Sequence, residues 1–265
     1  MQQIAPTEVT ADWSQFDPRA YLNEYYADLG NENLALLRFL VEVFQGLPDC
    51  QTLLDFGGGP TIYPLISAVN RVAEIHFADY LEVNLCEVRR WIERDPAAFD
   101  WTPFIAKALE IETGRPCAAP EVALRAEEIR KRVRRVLRCD ASRTPPIDDL
   151  RAPYDVVLSN FCAESATSDR AQWQAYVANI ASVLKPGGWL VTTALKRSTQ
   201  YRVGARTFPA VDISEADLSE ILEECGFPRK GIEVRSVAAD RPSRDYEGLI
   251  LAVAGKAPAG SRRRT

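Results

Sequence analysis

Apolar and polar residues follow one another along the chain in blocks that predict strands alternating with helices. The clearest block begins with a buried strand at 53–56, continues through the glycines at 57–59, and goes on at helical spacing from 60 to 69. Later strands are predicted at 74–79, 136–141, 154–161, 189–195, 232–239 and 246–254. This alternation predicts an α/β fold whose ligand lies beyond the carboxyl ends of parallel strands.

Other segments depart from the alternation and predict additions to that fold. Residues 13–46 have a helical pattern ahead of the first strand, with Asp17 as a helix cap and Pro18 at the first helical position, and they predict a cap. Residues 95–135 predict a helical insertion, and 196–211 a hairpin or flap. A helix predicted over 169–184 ends in the stop 184–188, and Ser214 is the predicted cap of a helix that ends at 225–227. We expect a single domain over 13–254 and a disordered tail over 255–265.

Composition excludes several classes of function. The 265 residues carry a net charge of −5, which argues against a general polyanion binder, and the arginines between 125 and 138 are interleaved with glutamates as on a solvated face. No apolar run approaches the ~20 residues of a membrane span, and the first residues lack the features of a signal peptide. Six cysteines without a C-x-x-C pair indicate reduced thiols. We expect a cytoplasmic protein without bound metal, nucleic acid or membrane, with a monomer favoured.

The glycine turn limits the kind of ligand. A dinucleotide fingerprint requires glycine where the chain has Ile62, and no Gly-Lys-Ser/Thr sequence follows to cradle a phosphate. Asp55 stands two positions before the glycines, and a carboxylate aimed into the turn repels pyrophosphate but suits a cationic ligand or an ammonium group. Asp79 ends the second strand 24 residues after Asp55, where an acid suits ribose hydroxyls.

Three further positions carry candidate chemistry. Tyr21 and Tyr26 are candidates for closing over the polar end of the ligand, although a spacing of five residues predicts that they share one helix face only loosely. Asp140, at the end of the third strand, is placed to accept a hydrogen bond from an adenine amine. The only histidine, His76, lies within a strand and is expected to be structural.

Six segments in one order and spacing resemble the nicotinamide, phenylethanolamine and indolethylamine (thioether) N-methyltransferase family of class I S-adenosylmethionine (SAM) methyltransferases. They are 16–26, 53–65, 78–80, 96–101, 137–140 and 184–188, and the second reads D-x-G-G-G-P at its centre. The resemblance implies a Rossmann-like seven-stranded sheet with an antiparallel last strand and a helical N-terminal cap. It also implies transfer of a methyl group from SAM to a small-molecule acceptor.

The resemblance implies sites for both partners of the reaction. The implied cofactor-binding residues are Tyr21, Tyr26, Asp55, Gly57, Gly58, Gly59, Thr61, Tyr63, Asp79, Tyr80, Asn84, Asp140, Ala141, Asn160 and Phe161. The implied acceptor residues are Glu164, Thr193, Arg197 and Tyr201, with Glu164 and Tyr21 as the catalytic candidates. Where the nicotinamide branch has an aspartate this chain has Thr193, and the resemblance places Arg197 and Arg244 near other acids by which the amine branches hold their substrates. Arg197, Arg202 and Arg206 face either a carboxylate-bearing acceptor or solvent.

We predict methyl transfer to a nitrogen of a small amine or N-heteroaromatic. SAM carries a sulfonium leaving group, so the protein must chiefly hold a neutral nucleophile in line and dry. One alternative is attack of the SAM amine on its own side chain, which forms a cyclic amino acid and releases methylthioadenosine. Another is a SAM-binding protein without catalysis.

Overall fold

The computed structural model describes residues 9, 12–148, 153–240 and 245–258. Short 3-10 turns stand at Trp13–Gln15 and Arg229–Gly231. The helices are α1 (Pro18–Tyr25), α2 (Asn31–Gly46), α3 (Leu65–Ala68), α4 (Glu82–Ile92), α5 (Thr102–Thr113), α6 (Ala119–Arg132), α7 (Arg170–Ser182) and α8 (Glu215–Glu224). The strands are β1 (Cys50–Phe56), β2 (Val72–Asp79), β3 (Val133–Arg138), β4 (Tyr154–Asn160), β5 (Leu184–Lys196), β6 (Gln200–Val203), β7 (Arg206–Pro209), β8 (Ile232–Ala238) and β9 (Gly248–Gly255).

Seven strands form one sheet in the order β3-β2-β1-β4-β5-β9-β8. Strands β1 to β5 are parallel, whereas β9 runs antiparallel to both β5 and β8. The predicted α/β class and the antiparallel last strand are therefore confirmed. The strand order reverses between β1 and β4, and such a reversal opens a crevice at the carboxyl ends of the strands.

Apolar side chains from the helices cover both faces of this sheet. On one face the core includes residues of α2, α3 and α5, such as Leu40, Leu65 and Phe104. On the other face α7 and α8 bury residues such as Trp173 and Leu222. Because the central strands are covered on both sides, their apolar residues run nearly without interruption, as in Leu53 to Phe56.

The predicted helix starts are confirmed at two positions. The Asp17 carboxylate accepts hydrogen bonds from the backbone N–H groups of Arg19 (2.8 Å) and Ala20 (3.1 Å) at the start of α1. Ser214 and Asp217 exchange hydrogen bonds in a capping box at the start of α8. Each cap satisfies backbone donors that the first turn of a helix leaves unpaired.

The helix predicted over 60–69 is wrong in extent, because only Leu65–Ala68 is helical. The Thr61 hydroxyl instead donates to the carbonyl of Gly58 (2.8 Å), and the Leu65 N–H donates to the carbonyl of Ile62 (3.0 Å). Prolines at 60 and 64 have no N–H to give to a regular helix, so the segment folds as successive turns.

Strand β3 starts three residues earlier than predicted. Val133–Arg138 pairs with β2, so the arginines at 134, 135 and 138 lie on a strand rather than on the preceding helix. The stretch 184–188, predicted as the end of a helix, belongs to β5 across a register shift. Both errors concern a boundary between helix and strand, which tertiary pairing decides. The residues 259–265 of the predicted tail lie outside the described residues.

The cap (13–46) and the flap (β6 and β7) contact each other above the sheet. Trp13 stacks on Phe208 with ring centroids 5.1 Å apart, and the Tyr25 hydroxyl donates to the carbonyl of Arg202 (2.8 Å). Val9 forms a bridge with Thr207 of the flap. No helix of the described residues is both long and apolar enough to cross a bilayer.

Candidate functional site

A cavity of about 300 Å³ lies at the carboxyl ends of the strands, beneath the cap and the flap. Most of the predicted site residues line it: Tyr21, Tyr26, Gly57, Gly58, Gly59, Thr61, Tyr63, Asp79, Tyr80, Asn84, Asp140, Ala141, Asn160, Phe161 and Tyr201. Four predicted residues are not among its lining: Asp55, Glu164, Thr193 and Arg197. Asp55 is a predicted cofactor residue, and the other three are predicted acceptor residues.

The three glycines of the turn serve different purposes. A Cβ on Gly57 would lie 2.2 Å from the Cys162 sulfur, and a Cβ on Gly58 would lie 2.5 Å from the Phe77 ring. A Cβ on Gly59 would meet open space, although its φ of +64° also favours glycine. The first two glycines are thus required by the protein's own packing, and only Gly59 leaves room toward a ligand.

Asp55 lies fully buried just below this turn. Neither of its carboxyl oxygens has a hydrogen-bond partner, although one lies only 3.0 Å from the position of a Cβ on Gly58. Burial raises the pKa of the Asp55 carboxyl to about 8, and the negative charge of Asp79 adds to the shift. An unpartnered buried carboxyl is unfavourable by itself and becomes favourable beside a cation, which is what a ligand ammonium group supplies.

Asp79 and Asn84 form a group of hydrogen-bond acceptors beside the turn. One Asp79 oxygen accepts from the N–H of Gly59 (2.9 Å), and the other accepts from the N–H of Leu81 (2.8 Å) and the Asn84 amide (3.0 Å). The Asn84 carbonyl oxygen is buried and has no partner. Burial raises the pKa of Asp79 although these hydrogen bonds oppose the shift. Such acceptors suit the hydroxyl donors of a ribose.

Asn160 presents a donor at the end of β4. Thr193 on the neighbouring strand donates its hydroxyl to the Asn160 carbonyl oxygen (3.0 Å), so the amide nitrogen is the group left without a partner. Thr193, predicted at the acceptor, is 1% exposed, does not line the cavity and contacts Asn160 instead. The next residue, Phe161, has a φ of +51°, a strained conformation for an aromatic residue that turns the chain sharply at the strand end.

The opposite side of the cavity is built by the turn after β3. Asp140 accepts hydrogen bonds from the N–H (2.9 Å) and the hydroxyl (2.6 Å) of Ser142, and Asn179 donates to the carbonyl of Ala141 (2.8 Å). Tyr80 stands at the mouth with 47% of its surface exposed. These contacts hold Asp140 and Ala141 at the place predicted for adenine.

Tyrosines roof the cavity between the cap and the sheet. The hydroxyls of Tyr21 and Tyr26 lie 3.5 Å apart, and Tyr26 stacks on Tyr63 with centroids 5.3 Å apart. The expectation that Tyr21 and Tyr26 share a face only loosely is wrong, because α1 ends at Tyr25 and the backbone turns at Tyr26 (φ −128°, ψ 4°). Burial raises the pKa of all three hydroxyls well above the ordinary value, so they stay protonated as donors.

Glu164 lies behind the cavity wall and not on it. Its carboxylate accepts hydrogen bonds from the N–H of Leu195 and the hydroxyl of Ser165, both at 3.1 Å, and these two residues do line the cavity. Glu164 is 2% exposed, and burial raises its pKa to about 7 against the opposing effect of the hydrogen bonds. The predicted direct contact of Glu164 with an acceptor is therefore not seen, and its position is that of a support.

The three arginines predicted to face either the acceptor or solvent are exposed and do not line the cavity, which agrees with the second alternative. Arg197 is exposed and pairs with Asp212 (3.3 Å), and Arg202 and Arg206 of the flap are exposed as well. Among the described residues that line the cavity there is no Lys, Arg or His, while Glu32, Asp79 and Asp140 are acidic. The cavity therefore does not offer a positive partner to a carboxylate-bearing acceptor. Arg244, which the sequence places nearby, lies outside the described residues.

The sequence did not reveal several residues at the acceptor end. Glu32 and Leu36 of α2 line the cavity there, together with Leu195, Tyr246 and Leu249 of or beside the last strands. They come from segments far apart in the chain and carry no motif. The acidic Glu32 in the first turn of α2 is the one local signal, and it indicates a helix start rather than a site.

The unpaired groups fit the predicted cofactor. Asp55 offers acceptors for an ammonium group, the Asn160 amide offers a donor for a carboxylate, and the two lie at the ends of adjacent strands. Asp79 and Asn84 follow along the turn for the ribose, and Gly59 leaves space for the ligand. SAM carries these groups in this order, so the residues present suit it. Among the described residues no group of His, Cys, Asp or Glu is arranged to hold a metal ion.

Comparison with known proteins agrees with this geometry. The model of the NNMT/PNMT/TEMT family matches residues 5–257. Human nicotinamide N-methyltransferase is 33% identical over 253 residues, covering 92% of this chain and 94% of that protein. Rabbit indolethylamine N-methyltransferase (*Oryctolagus cuniculus*) is 32% identical over 251 residues with the same coverage, and human phenylethanolamine N-methyltransferase is 32% identical over 261 residues, covering 94% and 91%.

Solved structures share the fold at low sequence identity. The DhpI–SAM–HEP complex aligns with a TM-score of 0.55 at 12% identity over 95% of this chain and 99% of the other. A Burkholderia thailandensis 1,6-didemethyltoxoflavin-N1-methyltransferase with bound 1,6-didemethyltoxoflavin and S-adenosylhomocysteine aligns with a TM-score of 0.52 at 18% identity, covering 96% and 93%. These likenesses support the fold.

Proposed function

The chain belongs to the NNMT/PNMT/TEMT family of SAM-dependent methyltransferases, and on that premise we propose that it methylates a nitrogen of a small amine or N-heteroaromatic. One observation carries the proposal. The cavity joins a cofactor end, with unpaired acceptors and a donor suited to SAM, to an apolar and aromatic end without a basic residue among its described lining. The names of the relatives, which act on nicotinamide, indolethylamine and phenylethanolamine, agree with such an acceptor.

The acceptor end favours a flat, neutral or cationic molecule. Leu195 of β5 and Leu249 of β9 are direct cross-strand partners, and both line the cavity. Tyr25 and Tyr201 add aromatic surface from the cap and the flap. Apolar and aromatic walls with few polar groups are typical of small-molecule sites. The acidic charge of the cavity disfavours a carboxylate on the acceptor.

When bound, SAM supplies a methyl group activated by its sulfonium. The chain's own contribution is to hold the acceptor nitrogen in line with that carbon and to exclude water. Tyr21 and Tyr201 both line the cavity, and burial keeps both hydroxyls protonated by raising their pKa. They donate to the ligand without competing as nucleophiles.

The proposed reaction requires little acid–base catalysis. A pyridine-type nitrogen has a free lone pair at neutral pH and needs no base. An aliphatic amine must first lose a proton to become a neutral nucleophile. Glu164, whose pKa is about 7, lies behind Ser165 and Leu195. We assign Glu164 as a positioning residue that holds the Leu195 backbone and the Ser165 hydroxyl in the wall.

The alternative reaction finds no support in the relatives. Intramolecular attack of the SAM amine would require that amine to leave Asp55, the one buried group at the turn that suits an ammonium. The three curated relatives described above are N-methyltransferases by name, and none carries a name for such a cyclisation.

Product analysis tests the proposal. The protein is incubated with SAM, with and without a panel of amines and azaarenes, and the products are identified by mass spectrometry. We expect S-adenosylhomocysteine and a methylated acceptor to appear in equal amounts, and only when an acceptor is present. Methylthioadenosine formed from SAM alone would overturn the proposal in favour of the cyclisation. Asp55→Asn serves as the control that lacks the cofactor-binding carboxylate.

A further inference from the structure

We propose that Glu32 and Tyr246 form an anchor that selects the acceptor by binding a second, cationic nitrogen on the side away from the nitrogen that is methylated. The proposal rests on the proposed function, because it names the class of acceptor for the same cavity. That class is a heteroaromatic or aryl acceptor bearing an additional protonated amino group.

The geometry of the pair is defined by three hydrogen bonds. One Glu32 oxygen accepts from the Tyr246 hydroxyl (2.8 Å), and the other accepts from the N–H of Asp240 (2.8 Å). Asp240 in turn accepts from the N–H of Glu32 (2.9 Å). Glu32 is 9% exposed and Tyr246 8%, yet both line the cavity. The carboxylate is therefore held rigidly from two sides, with its remaining lone pairs available to a ligand.

The charge around the pair points to a cation. Within the described residues Glu32 makes no ion pair, and the other charged residues lining the cavity, Asp79 and Asp140, are acidic too. Asp240 adds a second carboxylate beside it. A buried carboxylate with neutral partners alone is unfavourable, and it is stabilised when a positive charge enters the cavity. A protonated amine on the acceptor supplies that charge.

The order of the strands places the Glu32–Tyr246 pair away from the groups suited to SAM. The unpaired groups suited to SAM stand at the ends of β1 and β4, whereas Tyr246 directly precedes β9, two strands beyond β4. Neighbouring strands lie ~4.8 Å apart, so β9 lies about 10 Å from β4 and about 14 Å from β1 across the sheet. One aromatic ring, resting on Leu195 and Leu249, fills most of that span. Glu32 and Tyr246 therefore contact the side of the acceptor that lies away from the methylated nitrogen.

A purely structural role makes a different prediction. Glu32 and Tyr246 also tie the start of α2 to the segment between β8 and β9, and if that were their whole role, removing the pair would lower stability without changing the choice of acceptor. Acceptor selectivity therefore distinguishes the two roles, whatever happens to stability.

The test compares two acceptors that differ in one charge. The probes are 3-(aminomethyl)pyridine and its neutral analogue of similar shape, 3-ethylpyridine. We expect the unmodified protein to have the higher kcat/KM on the cationic probe. Glu32→Gln should lower kcat/KM on that probe at least tenfold, chiefly through KM, because the anchor contacts a group that does not react. It should change kcat/KM on 3-ethylpyridine less than about twofold. Tyr246→Phe, a milder change, should move the same ratio in the same direction.

The matched control is Glu42→Gln on the same helix, since Glu42 is exposed and pairs with Arg235 (2.6 Å) away from the cavity. It should leave the ratio between the two probes unchanged. An equal loss on both probes in Glu32→Gln and Tyr246→Phe, or no preference for the cationic probe in the unmodified protein, would overturn the anchor.

Binding separates this proposal from the proposed function. Calorimetry with the S-adenosylhomocysteine complex measures the affinity for each probe without requiring turnover. If neither probe is methylated but the cationic probe binds in a Glu32-dependent way, the anchor stands and the choice of reacting nitrogen is wrong. If both are methylated and Glu32→Gln binds both as the unmodified protein does, the anchor fails and the proposed function stands.

Discussion

The two ends of the cavity are built in different ways. The proposed cofactor end is made by the ends of β1, β2 and β4 and the turn after β1, so residues close together in the sequence, such as Gly58 and Thr61, meet directly. The acceptor end is made by the start of α2, the flap and the strands β5 and β9, so Glu32 and Tyr246 come from positions 214 residues apart. Local motifs specify the first end, and tertiary packing alone specifies the second.

The difference extends to how the polar groups are satisfied. At the cofactor end Asp55 and Asn160 keep unpartnered atoms that await a ligand. At the acceptor end Glu32 and Glu164 are both hydrogen-bonded within the protein. The cofactor end therefore depends on its ligand to complete its hydrogen bonds, whereas the hydrogen bonds of the acceptor end are largely preformed. Four measurements test this contrast.

The largest effect is expected at Asp55. Asp55→Asn keeps the shape but removes the charge, and breaking a buried ion pair typically costs 3–5 kcal/mol. The affinity for S-adenosylhomocysteine should therefore fall about a hundredfold or more, measured by calorimetry. The ligand-free variant should be more stable to heat than the unmodified protein at pH 8, because it no longer buries an unpaired carboxyl. Unchanged affinity would show that Asp55 does not hold the ammonium and would remove the contrast between the ends.

The second effect is the pH dependence of the same affinity. The pKa of Asp55 is raised to about 8 in the free protein, so at lower pH the carboxyl is protonated and must lose its proton before it pairs with an ammonium. From pH 5.5 to 7.5, below the ~7.7–8.0 of an ordinary α-amino group, affinity should rise by up to about tenfold per unit. Binding should release a proton, detected as a dependence of the calorimetric heat on the buffer.

The matched variant for that measurement is Asp55→Asn, which should bind with little pH dependence. A slope that survives in this variant would point to Glu164, whose pKa is about 7, as the group that titrates.

A smaller effect is expected at Thr193. Thr193→Val removes the hydroxyl that donates to Asn160, so the amide is no longer fixed with its nitrogen toward the cavity. One neutral hydrogen bond contributes ~1 kcal/mol, which corresponds to about fivefold in affinity for S-adenosylhomocysteine. Thr192→Val on the same strand is the control, because the Thr192 hydroxyl donates to the carbonyl of Ser159 (2.6 Å) instead. Equal losses in the two variants would argue against a role through Asn160.

The smallest effect is expected at Glu164. Glu164→Gln retains a carbonyl oxygen that accepts from Leu195 and Ser165, so kcat should stay within about threefold of the unmodified protein and cofactor affinity should not change. Steady-state kinetics over pH 6 to 9 measure both. A loss beyond tenfold, with the disappearance of a limb near pH 7, would place Glu164 in proton transfer and give the acceptor end its own titrating group.

The same contrast explains how much of the fold and of the site can be predicted from the sequence. Short-range patterns predict the succession of strands along the chain, the caps at Asp17 and Ser214, and Asp79 as a site residue. The structure contains these strands and caps, and Asp79 lines the cavity. The helix predicted after the glycine turn is longer than the observed one. Its two prolines interrupt the backbone hydrogen bonds of a helix without changing the spacing of the apolar residues from which the helix is predicted. The start of β3 was missed because pairing with β2 overrides the helical pattern of its arginines.

The site errors have physical causes of the same kind. Arg197 was assigned to the acceptor from its place in a motif, but its backbone has a φ of +55° and its side chain pairs with Asp212 on the surface. Thr193 and Glu164 are near the cavity along the chain, yet each points at a neighbouring protein group. Direction of a side chain depends on the packing of distant segments, which no local pattern contains.

The contact between the first described residues and the flap has a practical consequence for handling the protein. Val9 is bridged to Thr207, and Trp13 stacks on Phe208, so a purification tag attached close to either residue would lie beside the roof of the cavity. Crowding there would press on the hairpin through which Tyr201 reaches the ligand. Assays are therefore best run on material from which such a tag has been cleaved.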